Sequence, residues 1–109
     1  MRSKYNAKPT VVDDIRFASM AEARRYGELK LLERAGKISN LKLQPKYPLV
    51  FLAGPGREIV NVGTYVADFW YEGPQGSVIE DVKGVRTPLY RLKKKMVEAI
   101  YGVMITEVR

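Results

Sequence analysis

The stretch from Asp68 to Lys83 constrains the fold more than any other part of the chain. Two short runs rich in aromatic and β-branched residues flank the tetrapeptide Gly-Pro-Gln-Gly at 73–76, a pattern typical of a β-hairpin. With the turn centred in the middle of this tetrapeptide, Asp68 lies directly opposite Asp81. Because side chains alternate between the two faces of a strand, Lys83 shares a face with Asp81. The hairpin therefore brings two carboxylates and one ammonium group to a single patch.

This patch has two interpretations. Two facing carboxylates repel each other unless positive charge lies between them, and such oxygen ligands suit a hard divalent cation. The alternative is a cross-strand ion pair on a solvated face, which is common in hairpins and contributes little to stability. A bulge of one residue would also turn Asp68 to the opposite face. The spacing alone leaves both interpretations open.

Two residue types are missing from the chain, and their absence excludes several classes of enzyme. There is no cysteine and no histidine. This excludes disulfides, thiolate zinc sites, serine–histidine and cysteine–histidine hydrolases, and zinc hydrolases with histidine ligands. Any catalysis must therefore use carboxylates, lysines, tyrosines and metal ions such as Mg²⁺ or Mn²⁺.

The length and charge predict one basic domain. The 109 residues suffice for a single domain spanning 1–109, and the formal net charge is +7. Such a surface favours a polyanionic partner, most often nucleic acid, although solubility alone also accounts for it. Residues 1–10 contain Arg2, Lys4 and Lys8 and predict a mobile basic arm. No apolar run has the length of a membrane span, so we expect a cytoplasmic protein with no membrane partner.

The remaining pattern predicts an α/β fold. A hairpin is expected at 10–17, turning at Asp13–Asp14, and a helix at 20–35, beginning with a capping-box pattern from Ser19 to Glu22. Strands are expected at 41–52, interrupted by prolines, at 59–71 and at 77–83, then a helix at 88–101 and a last strand at 103–108. Because the last strand follows a crossover helix, it should pair in parallel, which gives a mixed central sheet flanked by helices.

Glu22 heads the apolar side of the first predicted helix. A helical wheel places it between Tyr26 and Leu29, with Leu32 further round the same side. One interpretation is that Glu22 caps its own helix together with Ser19. The other is that its carboxylate points over the sheet toward the hairpin patch. The wheel leaves both open.

The second predicted helix has an apolar face and a basic face. The residues expected to pack inward are Leu89, Leu92, Met96, Ala99 and Ile100. Arg91, Lys94 and Lys95 are expected to face solvent with Glu98, and these cations, with Lys4 and Lys8 of the arm, would contact phosphates. Lys93 falls within the apolar face. It either snorkels out at the edge or reaches the carboxylate patch or a substrate phosphate.

The order of the elements and of the acidic residues resembles the PD-(D/E)XK nuclease superfamily. The resemblance rests on Glu22 in the first helix, Asp68 in the second strand and Asp81-Val82-Lys83 in the third, with Ala67 in place of the usual proline. A small group of phage-encoded members is similar at further positions. These are Phe17-x-Ser19-x-x-Glu22-Ala-Arg-Arg-Tyr26, Leu43-Gln44-Pro45, Ala67-Asp68-Phe69 and Asp81-Val82-Lys83-Gly84 with Thr87 after it. The similarity covers essentially the whole chain and implies an αβββαβ restriction-endonuclease-like core.

The resemblance implies a role for each matching residue. The residues implied to bind Mg²⁺ or Mn²⁺ are Asp68, Asp81, Val82 through its carbonyl, and Glu22, directly or through water. Lys83 would position or deprotonate the attacking water. Gln44 would contact the metal-bound water or the scissile phosphate, or else serve as a structural amide in a bulge beside Pro45.

These implied roles predict a Mg²⁺-dependent DNA endonuclease. The superfamily includes archaeal-type Holliday-junction resolvases and transposon end-cleaving nucleases, so a structure-selective enzyme of phage DNA recombination or processing is expected. A four-way junction needs two symmetric cuts, which predicts a homodimer. The enzyme would act in the cytoplasm of the host cell, on branched or structured DNA rather than on a small molecule. The alternatives are a non-catalytic basic nucleic-acid-binding module with the nuclease fold, and a small structural or interaction protein whose basicity serves only solubility.

Overall fold

The computed structural model describes residues 8–109. Its elements in these residues are β1 (Thr10–Val12), β2 (Ile15–Phe17), α1 (Met20–Arg34), β3 (Ser39–Leu43), β4 (Lys46–Ala53), β5 (Glu58–Val66), β6 (Phe69–Gly73), β7 (Gly76–Val82), α2 (Pro88–Tyr101) and β8 (Ile105–Val108). The β1–β2 hairpin turns at Asp13–Asp14, as predicted. Lys4 lies outside the described residues. Thr10, expected within the basic arm, is instead the first residue of β1.

Four strands form a mixed sheet in the order β3-β6-β7-β8. β6 pairs antiparallel with both β3 and β7, and β8 runs parallel to β7 because α2 carries the chain back across the sheet. The β6–β7 register pairs Phe69 with Glu80 and Gly73 with Gly76, without a bulge. The mixed α/β fold and the register of the hairpin are therefore as predicted.

Two of the expected strands are each divided at the same level; the first was expected to be interrupted by its prolines, and the second was expected to be continuous. The strand expected at 41–52 breaks at Gln44 and Pro45, and the one at 59–71 breaks at Ala67 and Asp68. Gln44 has a φ of 51°, and Pro45 has no N–H to continue the ladder. The Gln44 N–H donates to the Asp68 carbonyl at 2.9 Å, and the Ala67 N–H donates to the Pro45 carbonyl at 3.1 Å. As a result, β4 and β5 leave the central sheet as a two-stranded ribbon.

The helices begin and end at their capping residues. α1 begins after Ser19, whose Oγ accepts the Glu22 N–H at 3.1 Å. α2 begins after Thr87, whose side chain accepts the Tyr90 N–H at 3.1 Å, and ends at Gly102 in the left-handed conformation, with a φ of 65°. Within the described residues, neither helix is both long and apolar enough to cross a membrane.

Each face of the central sheet carries its own hydrophobic core. α1 and the β1–β2 hairpin cover one face, with the buried residues Phe17, Ala23, Tyr26, Leu29, Ile38, Phe69, Tyr71 and Val82. The other face packs against α2 and the ribbon, with the buried residues Leu49, Tyr65, Ala67, Ile79, Tyr90, Val97 and Ile105. Because side chains alternate along β7, Glu80 and Val82 face α1, whereas Ile79 and Asp81 face α2.

The apolar face predicted for α2 is wrong in part. Leu89 and Leu92 are 62% and 56% exposed, whereas the buried residues of the helix are Tyr90 and Val97. The hydroxyl of Tyr90 donates to Glu107 Oε2 at 2.8 Å. This hydrogen bond to Glu107 on β8 therefore helps to select the face of α2 that packs on the sheet, and it leaves Leu89 and Leu92 exposed to solvent.

Candidate active site

The carboxylate patch lies where the ribbon separates from the central sheet. Asp68 occupies the bend between β5 and β6, and Asp81 is the penultimate residue of β7. The Asp81 side chain is 1% exposed, and Lys83 Nζ lies 3.3 Å from its Oδ1. Asp81 and Lys83 thus share a face, as predicted. Burial of Asp81 excludes the interpretation of a solvated surface ion pair.

The two oxygens of Asp81 have different surroundings. The Tyr65 hydroxyl donates a hydrogen bond to Oδ2. Oδ1 is buried and has no hydrogen-bond partner within residues 8–109, because its 3.3 Å contact with Lys83 lacks hydrogen-bond geometry. The Lys83 ammonium also lies 4.5 Å from the centre of the Tyr90 ring, a cation–π contact. A buried acceptor that lacks a donor is costly and marks a place where a cation would be favourable.

Asp68 is protonated at neutral pH when no cation is present. Burial, and after it the neighbouring carboxylates of Asp81 and Glu22, raise its pKa to about 8. The opposing influence is a hydrogen bond of 2.7 Å from the Val82 N–H to Asp68 Oδ2. Since like charges in a buried site cannot all ionise, the two aspartates form a site that holds a proton unless a cation replaces it.

Glu22 reaches the edge of the same site from the first turn of α1. Burial raises the pKa of its carboxyl, Asp81 adds to this effect, and both Lys83 and a backbone hydrogen bond from Ala18 oppose it. The backbone N–H of Glu22, rather than its carboxylate, completes the bond with Ser19 Oγ. Glu22 also lines the cavity at Asp68 and the groove at Lys83, so it borders the site while its helix is capped as expected.

Gln44 lies beside the site, in the irregularity next to Pro45. Its positive φ places it in the irregularity beside Pro45, where its N–H holds the backbone of Asp68. It also lines a small cavity of about 110 Å³ together with Glu22, Asp68 and the exposed Arg16. The backbone N–H of Gln44 thus stabilises the bend at Asp68, and the residue lies at the border of the site.

Lys93 does not reach the carboxylates. Its Nζ donates to the Thr64 carbonyl at 3.3 Å, and the side chain borders a groove between α2 and β5 that Lys83 also lines. Of the residues expected to contact phosphates, Lys8, Arg91 and Lys95 are exposed. Lys94 was expected to face solvent freely, but it is partly buried and pairs with Glu98 at 3.3 Å.

Several residues near the site have roles that sequence reasoning did not assign. Tyr65 and Tyr90 flank the Asp81–Lys83 pair, and Arg16 borders the cavity at Asp68. Glu80, 1% exposed, pairs on the other face of β7 with Arg25 of α1. Two features of the sequence could have indicated the Glu80–Arg25 pair. These are the alternation along β7 and the position of Arg25 next to the apolar stripe of α1.

The residues fit a divalent cation held mainly by two carboxylates. Within residues 8–109, no group of three acidic side chains is placed to hold a metal ion. Asp81 Oδ1, which accepts no hydrogen bond and lies beside the Lys83 ammonium, and the Asp68 carboxyl, whose pKa is raised, nevertheless provide two oxygen donors for such an ion. Glu22 would then act through water rather than as a direct ligand.

Comparison with known proteins identifies a family and no characterised relative. Neither the curated proteins nor the solved structures include a match to this chain. One family, described as "Protein of unknown function (DUF1064)", matches residues 2–108. Because this match covers almost all of the 109 residues, the chain belongs to the DUF1064 family.

Proposed function

We propose that this protein is a Mg²⁺-dependent DNA endonuclease of the PD-(D/E)XK type, which hydrolyses phosphodiester bonds. One observation carries this proposal. The two aspartates predicted as metal ligands lie together, where the half-buried Asp68 has a pKa of about 8 and the buried Asp81 has an oxygen that accepts no hydrogen bond beside Lys83. Most buried acceptors in proteins accept a hydrogen bond, so the oxygen of Asp81 that accepts none supports a site for a ligand.

The chain supplies the groups that such a reaction needs. Asp68 and Asp81 would hold the cation, together with the Val82 carbonyl. A bound Mg²⁺ would neutralise the charge of the phosphodiester and lower the pKa of a water ligand. Lys83 is held between Asp81 and the Tyr90 ring, and from there it would hydrogen-bond the attacking water or a phosphate oxygen. The carboxylate of Glu22 would accept hydrogen bonds from water in the same site.

The order of elements supports the same proposal. α1, the strands β3, β6 and β7, then α2 and β8 follow the αβββαβ order of a restriction-endonuclease-like core, with β8 parallel to β7. The ribbon β4–β5 and the hairpin β1–β2 would be additions to that core. We further propose branched or structured DNA as the substrate and a homodimer as the active form, since a junction requires two symmetric cuts.

Cleavage assays test the proposal directly. Labelled duplex, single-stranded, flap and four-way-junction DNA would be incubated with the protein in Mg²⁺, Mn²⁺ or EDTA. We expect cleavage only with a metal ion, and loss of cleavage in Asp81→Asn with DNA binding retained. Asp14→Asn is the matched control, because it makes the same chemical change at an exposed turn residue.

Two outcomes would contradict the nuclease proposal. Full cleavage by purified Asp81→Asn would remove the carboxylate site from the mechanism. Salt-dependent DNA binding without cleavage under any metal condition would favour the alternative of a non-catalytic nucleic-acid-binding module. Light scattering at several protein concentrations would decide between a monomer and the proposed dimer.

A further inference from the structure

A groove of about 310 Å³ runs beside the candidate active site, between α2 and β5. The residues that characterise it are Thr64, Val66, Lys83, Leu89, Tyr90 and Lys93. We refer to it as the lysine groove. Lys83 belongs both to this groove and to a second one, of about 280 Å³, which Glu22, Val82 and Gly84 also line. A nucleic-acid strand that occupied both grooves would pass Lys83, and with it the carboxylate site.

One of the two lysines of the lysine groove has no carboxylate partner in the described residues, whereas the other, Lys83, pairs with Asp81 at 3.3 Å. No acidic residue lines the groove within the described part of the chain. Lys93 makes one hydrogen bond, to the Thr64 carbonyl at 3.3 Å, and no carboxylate of residues 8–109 lies within ion-pair distance of it. An ammonium group has three donors, so two donors of Lys93 remain available for an anion.

The walls of the lysine groove are apolar and open to solvent. Leu89 is 62% exposed and Val66 is 45% exposed. Tyr90 also lines the groove, but its side chain is buried, and its ring lies 4.5 Å from the Lys83 ammonium. Apolar and aromatic surface between cations is the arrangement that binds single-stranded nucleic acid, because the flat base packs on the apolar surface while the cations hold the phosphates.

We propose that the lysine groove binds one nucleotide with an unpaired base, directly beside the scissile phosphate. This proposal rests on the proposed nuclease function and adds the substrate feature that the enzyme recognises. In a duplex each base is stacked on both faces and paired at its edge, so it cannot enter a groove without being extruded. Extrusion is least costly for a base that is already unpaired. The enzyme would therefore prefer flaps, junctions or single strands to intact duplex.

Cleavage of two matched substrates tests this preference. After the cleavage position is mapped on a flap, the same sequence is prepared with the flanking nucleotide either unpaired or fully paired. We expect the wild type to prefer the unpaired substrate by about tenfold or more, the effect of a single base contact. Leu89→Ser and Lys93→Met should lose most of this preference.

The chain offers a matched control for each variant. Leu92→Ser changes a leucine of the same helix that is 56% exposed and does not line the groove. Lys37→Met removes the same charge at an exposed position beyond α1. Both controls should retain the wild-type preference, and thermal melting should show that all four variants are folded.

A binding measurement separates this proposal from the nuclease proposal. Fluorescence anisotropy in EDTA compares a single-stranded oligonucleotide with the duplex, and Leu89→Ser should weaken single-strand binding about tenfold relative to Leu92→Ser. If the wild type cleaves no DNA, the nuclease proposal fails while this measurement still decides whether the groove binds a base. The inference would be overturned if Leu89→Ser bound single-stranded DNA as tightly as the wild type and kept the same preference for the unpaired substrate. The inference would also be overturned if Lys93→Met weakened binding to single-stranded and duplex DNA equally. Lys93 would then contact phosphates whether or not a base enters the groove.

Discussion

At the residue scale, the environment of each aspartate determines its chemistry. Asp68 and Asp81 are the same residue type, yet Asp68 holds a proton up to a pH of about 8, while Asp81 accepts from Tyr65 and lies beside Lys83. Burial is the main cause of the raised pKa of Asp68, and the neighbouring carboxylates add to it. This difference has consequences for stability that can be measured without any substrate.

The metal-free protein should lose stability as the pH rises. The pKa of Asp68 is about 8 in the folded protein, above the value of about 3.9 for an unfolded aspartate. The folded state therefore binds more protons between these values, and the stabilising contribution present at low pH is lost as the pH rises through about 8. We expect the melting temperature in EDTA to fall over this range, and Asp68→Asn to flatten the fall. A profile that is identical in Asp68→Asn would contradict the assigned protonation.

Glu22→Gln separates capping from participation in the site. The bond to Ser19 uses the backbone N–H of Glu22, so the amide variant should melt within a degree or two of wild type, as expected for a change that leaves the cap intact. Cleavage should fall by roughly 10–100-fold, the usual effect of removing a group that orients a metal site, and should require more Mg²⁺. Unchanged cleavage would show that Asp68, Asp81 and Lys83 suffice without Glu22.

At the element scale, one buried ion pair docks α1 on the central sheet. Arg25 donates to both carboxylate oxygens of Glu80, at 2.8 and 2.7 Å, and the Tyr71 hydroxyl also donates to this carboxylate. The hydrogen bonds with Glu80 raise the pKa of Arg25 above its ordinary value. Since Glu22 lies one turn before Arg25 on the same helix, this pair also positions Glu22 over the site.

Breaking this pair should be much more costly than breaking an exposed one. Arg25→Met leaves the carboxylate of Glu80 buried without a cation, which should lower the free energy of unfolding by about 3 kcal/mol or more. The double variant with Glu80→Gln should recover part of the loss. Lys30→Met removes a more exposed pair, with Glu33 on the same helix, and should cost about 1 kcal/mol or less. Urea denaturation of the three variants checks this, and equal values for Arg25→Met and Lys30→Met would refute it.

At the scale of the whole molecule, the cations behind the net charge of +7 differ in how readily a partner can reach them. Arg91 and Lys95 on α2 are exposed, whereas Lys94 between them in the helix is paired with Glu98. The exposed cations lie on the helix that also forms one wall of the lysine groove. Arg91 and Lys95 project from the side of α2 away from Leu89 and Lys93, so they would contact DNA outside the groove, and the paired lysine would contribute less.

The salt dependence of DNA binding measures this distribution. Each phosphate contact contributes about −0.9 to the slope of log affinity against log salt concentration. Arg91→Gln with Lys95→Gln should flatten the slope by up to about two such contributions and weaken all sequences alike. Lys94→Gln should change the slope less. An unchanged slope in the Arg91 and Lys95 double variant would place the DNA on another face.

Local rules predicted those parts of the fold that depend on residues close in sequence. The β6–β7 register follows from its four-residue turn, and the ends of α2 follow from Thr87 and Gly102. The shared face of Asp81 and Lys83 follows from alternation along one strand. These features could be predicted because backbone hydrogen bonds and capping act over a few residues.

The sequence by itself thus indicated which residues could form the site. The tertiary structure determined their burial, their hydrogen-bond partners and their protonation. Tyr65 reaches Asp81 across 16 positions in the chain, and only packing of β5 against β7 brings them together. The division of the two strands at Gln44 and Asp68 arises because two backbone irregularities, far apart in sequence, bond to each other. Burial, and with it the protonation of Asp68, is a property of all the elements that surround a side chain. It therefore cannot be obtained from the spacing of any one of them.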